Sequence, residues 1–201
     1  LLNDVSFTAL PGELVGIMGP SGSGKTTLLD VLAGYVSPSS GQVLINNGSI
    51  FGSNGKLLAG FGQLIGQGPQ HDVVHPMLTV REATLFSAKL RTPASLPNDE
   101  LQRRVDEAVA NVALTPKAGT QIAPTGRKTL SGGQRKRVNI AMELVNAPRV
   151  LLLDEPSSGL SSHDTAELMQ LLRQLADQGN TVILTIHQPS YASYVQMDQV
   201  L

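Results

Sequence analysis

Apolar residues recur along this chain in two rhythms, and the switches between them predict an alternating α/β architecture. Short, nearly continuous apolar runs bounded by turn residues read as strands. They cover residues 2–10 and 13–18 on either side of a Pro-Gly turn, 41–46 and 61–66 around a Gly/Asn-rich loop at 46–55, and the runs inside 150–156 and 180–187. Three- and four-residue spacing predicts helices over 25–33, 78–91, 99–114, 134–147 and 162–179. Leu101, Val105, Ala108, Val109 and Val112 form one apolar face in the third of these, and Leu168, Leu171, Leu172 and Leu175 form another in the last. Gly34 and Pro38 stop the first helix, and Pro148 stops the fourth. The alternation predicts a mostly parallel sheet covered on both faces, and the strand-poor middle predicts an inserted helical subdomain at about 72–147 between core segments 1–71 and 148–201.

Composition narrows the function classes. With 201 residues, 41% hydrophobic and 15% charged, the chain can bury one core. A formal net charge of −1 supplies no basic field for nucleic acid, which is not expected as a partner. No cysteine is present, so disulfides, thiol catalysis and cysteine-ligated zinc are excluded. No apolar run reaches the ~18 residues that cross a bilayer. "LLNDVSF" at the start and "QMDQVL" at the end look like interrupted patterned segments, so the chain is expected to be a piece cut at both ends.

The chemistry concentrates in a few motifs. "GPSGSGKT", Gly19, Pro20, Ser21, Gly22, Ser23, Gly24, Lys25 and Thr26, followed by Thr27, fits GxxxxGK[ST] between a predicted strand and a predicted helix. Its glycines let backbone N–H groups face phosphate oxygens, Lys25 reaches the β- and γ-phosphates, and the Thr26 hydroxyl suits Mg²⁺. In "VLLLDEP", Asp154 ends a buried strand where it could hold Mg²⁺, and Glu155 could polarise an attacking water. Adjacent acids on a strand face opposite ways, so this pairing requires the chain to leave regular strand at that point. His187 ends another strand at the edge where ligands of open α/β sheets collect. His71, His75 and His163 have no zinc-ligand spacing and read as surface residues.

"LSGGQRKR", from Leu130 to Arg137, places Arg135, Lys136 and Arg137 at the positive end of a helix, where an anion should belong. Together with the phosphate loop, "LLLDEP" and His187, it resembles the nucleotide-binding domain of ABC transporters, whose LSGGQ signature is intact here. "RKRVNIAMELV" and "TIHQPS" are most similar to the white-type G subfamily, which exports lipids, sterols, pigment precursors or drugs. The resemblance implies a P-loop NTPase fold with a mostly parallel core, an antiparallel N-terminal β part and a helical insert. It implies ATP and Mg²⁺, and a metal- and water-sensing glutamine, Gln70 in "PQHDVVHPMLTVRE", with Gln67 as the competing assignment. It further implies head-to-tail pairing with a second such domain, Ser131, Gly132, Gly133 and Gln134 of one copy meeting the γ-phosphate bound by the other. Attachment to a transmembrane domain at the cytoplasmic face of a membrane also follows from the family. Lys136 and Arg137 are expected on a solvated face.

Two departures stand out. Ser161 occupies the position where the family has aspartate, which raises a nucleotide-gated binding module with weak hydrolysis as an alternative. Phe7 reads as core and Tyr35 merely follows the first helix, so no adenine-stacking aromatic is assigned. An ABC ATPase acting on DNA or ribosomes is a further alternative; the interval from Lys25 to Ser131 is too short for the long coiled coil of the DNA type.

Overall fold

The computed structural model describes residues 2–123 and 129–201. Five parallel strands make the central sheet in the order β4-β5-β6-β1-β7, with β1 at Leu14–Met18, β4 at Ile65–Gly68, β5 at Val150–Leu153, β6 at Thr181–Ile186 and β7 at Gln199–Val200. A separate antiparallel pair joins β2, Leu44–Ile45, to β3, Gly48–Ser49. Its two-residue turn, Asn46-Asn47, has positive φ at both positions, the geometry that matches the twist of a tight hairpin.

Side-chain alternation along the strands builds a core on each face of the sheet. Leu151, Leu153, Val182, Leu184 and Ile186 point into one cluster with helix α5 (Gly132–Leu144) and helix α6 (Ser162–Asp177). Val15, Ile17, Leu152 and Ile183 point the other way, onto Leu29 of helix α1 (Lys25–Leu32). Helices α3 (Val80–Arg91) and α4 (Asn98–Asn111) lie in the chain between β4 and β5. They pack through Ala88, Leu101, Val105 and Ala108, with Val145 at the end of α5 in the same cluster, which uses most of the apolar face read from sequence.

Two predicted strands come out differently. Among the described residues, 2–10 carry no strand: the Thr8 carbonyl accepts from Gln199 Nε2, and the Leu10 carbonyl accepts from Thr181 Oγ1 and from the N–H of Glu13 across the Pro-Gly turn. Phe7 packs against the Val15 and Ile17 cluster, as core. Phe61–Leu64 forms a single helical turn, α2, before β4 starts, because Gly60 enters it at φ 93°.

Asp198 fastens the edge strand β7 to the sheet. Its carboxylate accepts from Leu14 N–H at 2.8 Å and from the Arg173 guanidinium, which also reaches Asp177. Burial pushes the Asp198 carboxyl up, but the Leu14 N–H and Arg173 outweigh it and hold it below the ordinary aspartate value. A depressed acid stabilises the fold above its unfolded pKa, and that contribution disappears as pH falls through the folded value. Thermal unfolding followed from pH 7 to pH 3 should therefore lose stability through this range, and Asp198→Asn should flatten the loss. The effect should be about 1 kcal/mol, small because the carboxylate is 43% exposed and solvent screens it.

Candidate functional site

Parallel strands align their C-terminal ends, so the residues that follow β1, β4, β5 and β6 meet at one edge of the sheet. The stretch from Gly19 to Gly24 follows β1 and leads into α1, with Gly22 at φ 78° and Gly24 at φ 96°, backbone that side chains rarely tolerate. Lys25 is 7% exposed, and its ammonium donates to the carbonyls of Gly19 at 3.0 Å and Pro20 at 2.9 Å. That folds a positive charge over the loop.

Among the described helices of eight or more residues, α1 alone begins with neither a side-chain cap nor an acid in its first turn. Thr79, Ser131 and Ser161 cap α3, α5 and α6, and α4 carries Asp99 and Glu100. The first N–H groups of α1, Lys25 to Thr27, are thus left for an external anion, with Lys25 beside them.

Asp154 lies immediately beyond β5 and is 9% exposed. One carboxylate oxygen accepts from Thr26 Oγ1 at 3.0 Å and the other from Thr185 Oγ1 at 2.7 Å. Thr26 and Asp154 are an oxygen-only donor pair, which suits Mg²⁺ when phosphate oxygens and water complete its shell. Among the described residues no group of three or more His, Asp or Glu gathers to hold a metal without substrate.

Glu155 turns out of the strand at φ 42°, a costly conformation for a non-glycine residue, and so faces a different direction from Asp154. Its N–H donates to Thr185 Oγ1 at 2.8 Å. Its carboxylate accepts from Gln70 Nε2 at 2.8 Å on one oxygen and lies 2.7 Å from His187 Nε2 on the other. Gln70, Glu155 and His187 therefore come together. Gln67 lies elsewhere, on β4, with its N–H donating to the buried Glu143, which also pairs with Arg91. Thr185 was not singled out from sequence; the available signal was a hydroxyl within the otherwise aliphatic, fully buried run of β6.

Ser131, Gly132, Gly133 and Gln134 start α5 some distance along the chain from this cluster. The Ser131 hydroxyl accepts from Gln134 N–H at 3.2 Å, and Gln134 Oε1 accepts from Ser131 N–H at 3.0 Å, a reciprocal cap. Gly133 has to be small for a local reason: a Cβ there would lie 3.1 Å from Asp164 Oδ1. Ser161 caps α6, accepting from Asp164 N–H at 3.1 Å and donating to its carboxylate at 2.8 Å. The basic triplet corrects the expected solvated face. Lys136 is buried against Gln70 O and Asp72, Arg135 pairs with Asp72, and Arg137 pairs with Glu167 at 2.7 Å.

A glycine loop between a buried parallel strand and an uncapped helix, level with a strand-end acid across the sheet, is the arrangement of P-loop nucleotide-binding proteins. Residues 2–158 match the family model described as ABC transporter. Over its whole length the chain is 42% identical to ABC transporter G family member 2 of Dictyostelium discoideum and 40% identical to ABC transporter G family member 5 of Arabidopsis thaliana. It spans 15% and 30% of those two proteins. Among solved structures, cbiO1 of Clostridium perfringens, part of the ABC transporter complex cbiONQ, has a TM-score of 0.83 at 30% identity, covering 98% of this chain and 75% of that one. A bacterial ABC transporter cassette, solved as a dimer, has a TM-score of 0.78 at 30% identity, covering 100% of this chain and 84% of that one. The chain belongs to the ABC transporter family.

Proposed function

We propose that the chain is the ATP-binding and hydrolysing domain of a G-type ABC transporter, working as a head-to-tail pair on the cytoplasmic face of a membrane. The observation that carries this reading is the gathering of Lys25, Thr26, Asp154, Glu155, Gln70 and His187 at one sheet edge beside the uncapped start of α1. The names of the relatives above support the transporter class.

In this reading the loop N–H groups and Lys25 hold the β- and γ-phosphates of ATP, the substrate. Mg²⁺, held by Thr26 and Asp154 with Gln70 nearby, would neutralise phosphate charge when bound. Glu155 takes a proton from the attacking water while the water oxygen bonds to the γ-phosphorus and the bond from that phosphorus to the ADP oxygen breaks. Gln70 and His187 fix the carboxylate that does this, each from its own strand end. Ser131 and the Gly132 and Gly133 N–H groups would complete the site of the opposite copy at the γ-phosphate, with Gln134 preserving their helix start. Residues 72–147, which carry that start, would act as the lever to the membrane-spanning partner. The transported cargo would be set by that partner.

Scattering from the full-length protein's excised cytoplasmic domain pair, or crosslinking in the intact transporter, tests the pairing. ATP without hydrolysis should bring two of these domains into contact through Ser131, and ADP should release them. Domains that remain apart when saturated with unhydrolysed ATP would defeat the proposal.

A further inference from the structure

The loop that carries Gln70 is strapped to the helix that carries the signature. Arg135 and Lys136 lie four and three residues before Asn139, so both neighbour it on one face of α5. On that face Asn139 Nδ2 donates to Asp72 Oδ1 at 3.0 Å, and Asn139 Oδ1 accepts from Val73 N–H at 3.2 Å. Lys136 Nζ lies 3.4 Å from Asp72 Oδ1 and donates to the carbonyl of Gln70 itself. Arg135 Nε donates to Asp72 Oδ2 at 3.2 Å, and its other arm donates to Leu130 O at 3.0 Å. Two of the three anchoring residues on the helix are nearly inaccessible: Lys136 is 9% exposed and Asn139 5%. Gln70 is thus held at both ends, its backbone on α5 and its side chain on Glu155.

From this geometry we infer that Asp72 is a positioning residue for hydrolysis: with Lys136 and Asn139 it latches the Gln70 loop to the signature helix, so that Gln70 meets Glu155 only when α5 is in place. The inference rests on the proposed ATPase reading and adds to it a link between the signature and the water site of the same chain. Asp72 also supplies the anion that the cationic start of α5 demands, from within the chain. A carboxylate is needed rather than any small polar residue, because it serves two cations and an amide at once.

The test is a double-mutant cycle on the full-length transporter, reading kcat, KM for ATP and thermal unfolding for Gln70→Ala, Asp72→Ala, Asp72→Asn and Gln70→Ala with Asp72→Ala. Asp72→Ala should lower kcat about tenfold with KM changed by less than about twofold, since the phosphate loop is untouched. Asp72→Asn keeps an acceptor for Asn139 but loses both ion pairs, and should lower kcat about threefold; it carries the test if the alanine variant does not fold. In the Gln70→Ala background, Asp72→Ala should cost less than about twofold more, because the group it positions is gone. Fully additive losses, equal changes in kcat and KM, or normal kcat in both Asp72 variants would overturn the latch while leaving the ATPase reading intact. Normal kcat in Gln70→Ala would instead overturn the role given to Gln70, and the latch with it.

Discussion

Glu155→Gln should lower ATP hydrolysis by roughly 10²- to 10⁴-fold, the range that a general base supplies, while ATP still binds. Glutamine keeps the size of the side chain and can still meet Gln70 and His187, so the loss falls on proton transfer rather than on shape. The strained backbone at Glu155, φ 42°, is retained in the variant, which keeps the fold comparable. Because hydrolysis is what would release the pair, the variant should accumulate as an ATP-bound dimer, visible as a doubled mass in light scattering of the cytoplasmic domain pair. Equal, substantial turnover in the variant and the unaltered protein would sink the assignment of Glu155, and equal rates at background level would also defeat the view that the chain is an enzyme rather than a nucleotide-gated module.

Lys25→Ala should weaken ATP binding about a hundredfold, roughly 3 kcal/mol, measured by nucleotide titration. The ammonium is buried at 7% exposure, its only described hydrogen bonds are to the carbonyls of Gly19 and Pro20, and those it can exchange for phosphate oxygens. Removing it leaves the α1 N–H groups as the remaining attraction for the triphosphate, a partial charge in place of a full one. Unfolding temperature should move little by comparison, since the lysine packs against its own loop and not into either core cluster. Unchanged affinity would overturn the phosphate-loop assignment.

The glycine loop after β1 was legible in sequence because its geometry is local: eight consecutive residues, Gly19 to Thr26, set the turn and the helix start together. Asp154 and Glu155 were legible for the same reason, and the need for a break between them followed from strand geometry alone. Strands β5 and β6 declared themselves as aliphatic runs buried on both faces. What escaped depends on partners distant in sequence. Thr185 reads as ordinary strand propensity until Asp154 and Glu155 are placed on either side of its hydroxyl. Lys136 and Arg137 look solvated until Asp72 and Glu167 arrive from other elements. Residues 2–10 have the alternation of a strand, but the carbonyls of Thr8 and Leu10 meet side-chain donors and a turn N–H in place of a ladder.

Ser161 shows how a departure from a family pattern can be absorbed locally. The serine hydroxyl caps α6 through Asp164, so the helix start that an aspartate could also cap is preserved, and Asp164 in turn sits against Gly133.

One hydroxyl on β6, that of Thr185, joins two neighbouring residues: it donates to the Asp154 carboxylate and accepts from the backbone N–H of Glu155. The spacing between the Asp154 carboxylate and the Glu155 backbone is therefore gauged by a single short side chain rooted in a fully buried strand. A substitution at Thr185 would therefore disturb the side chain of Asp154 and the backbone turn at Glu155 together.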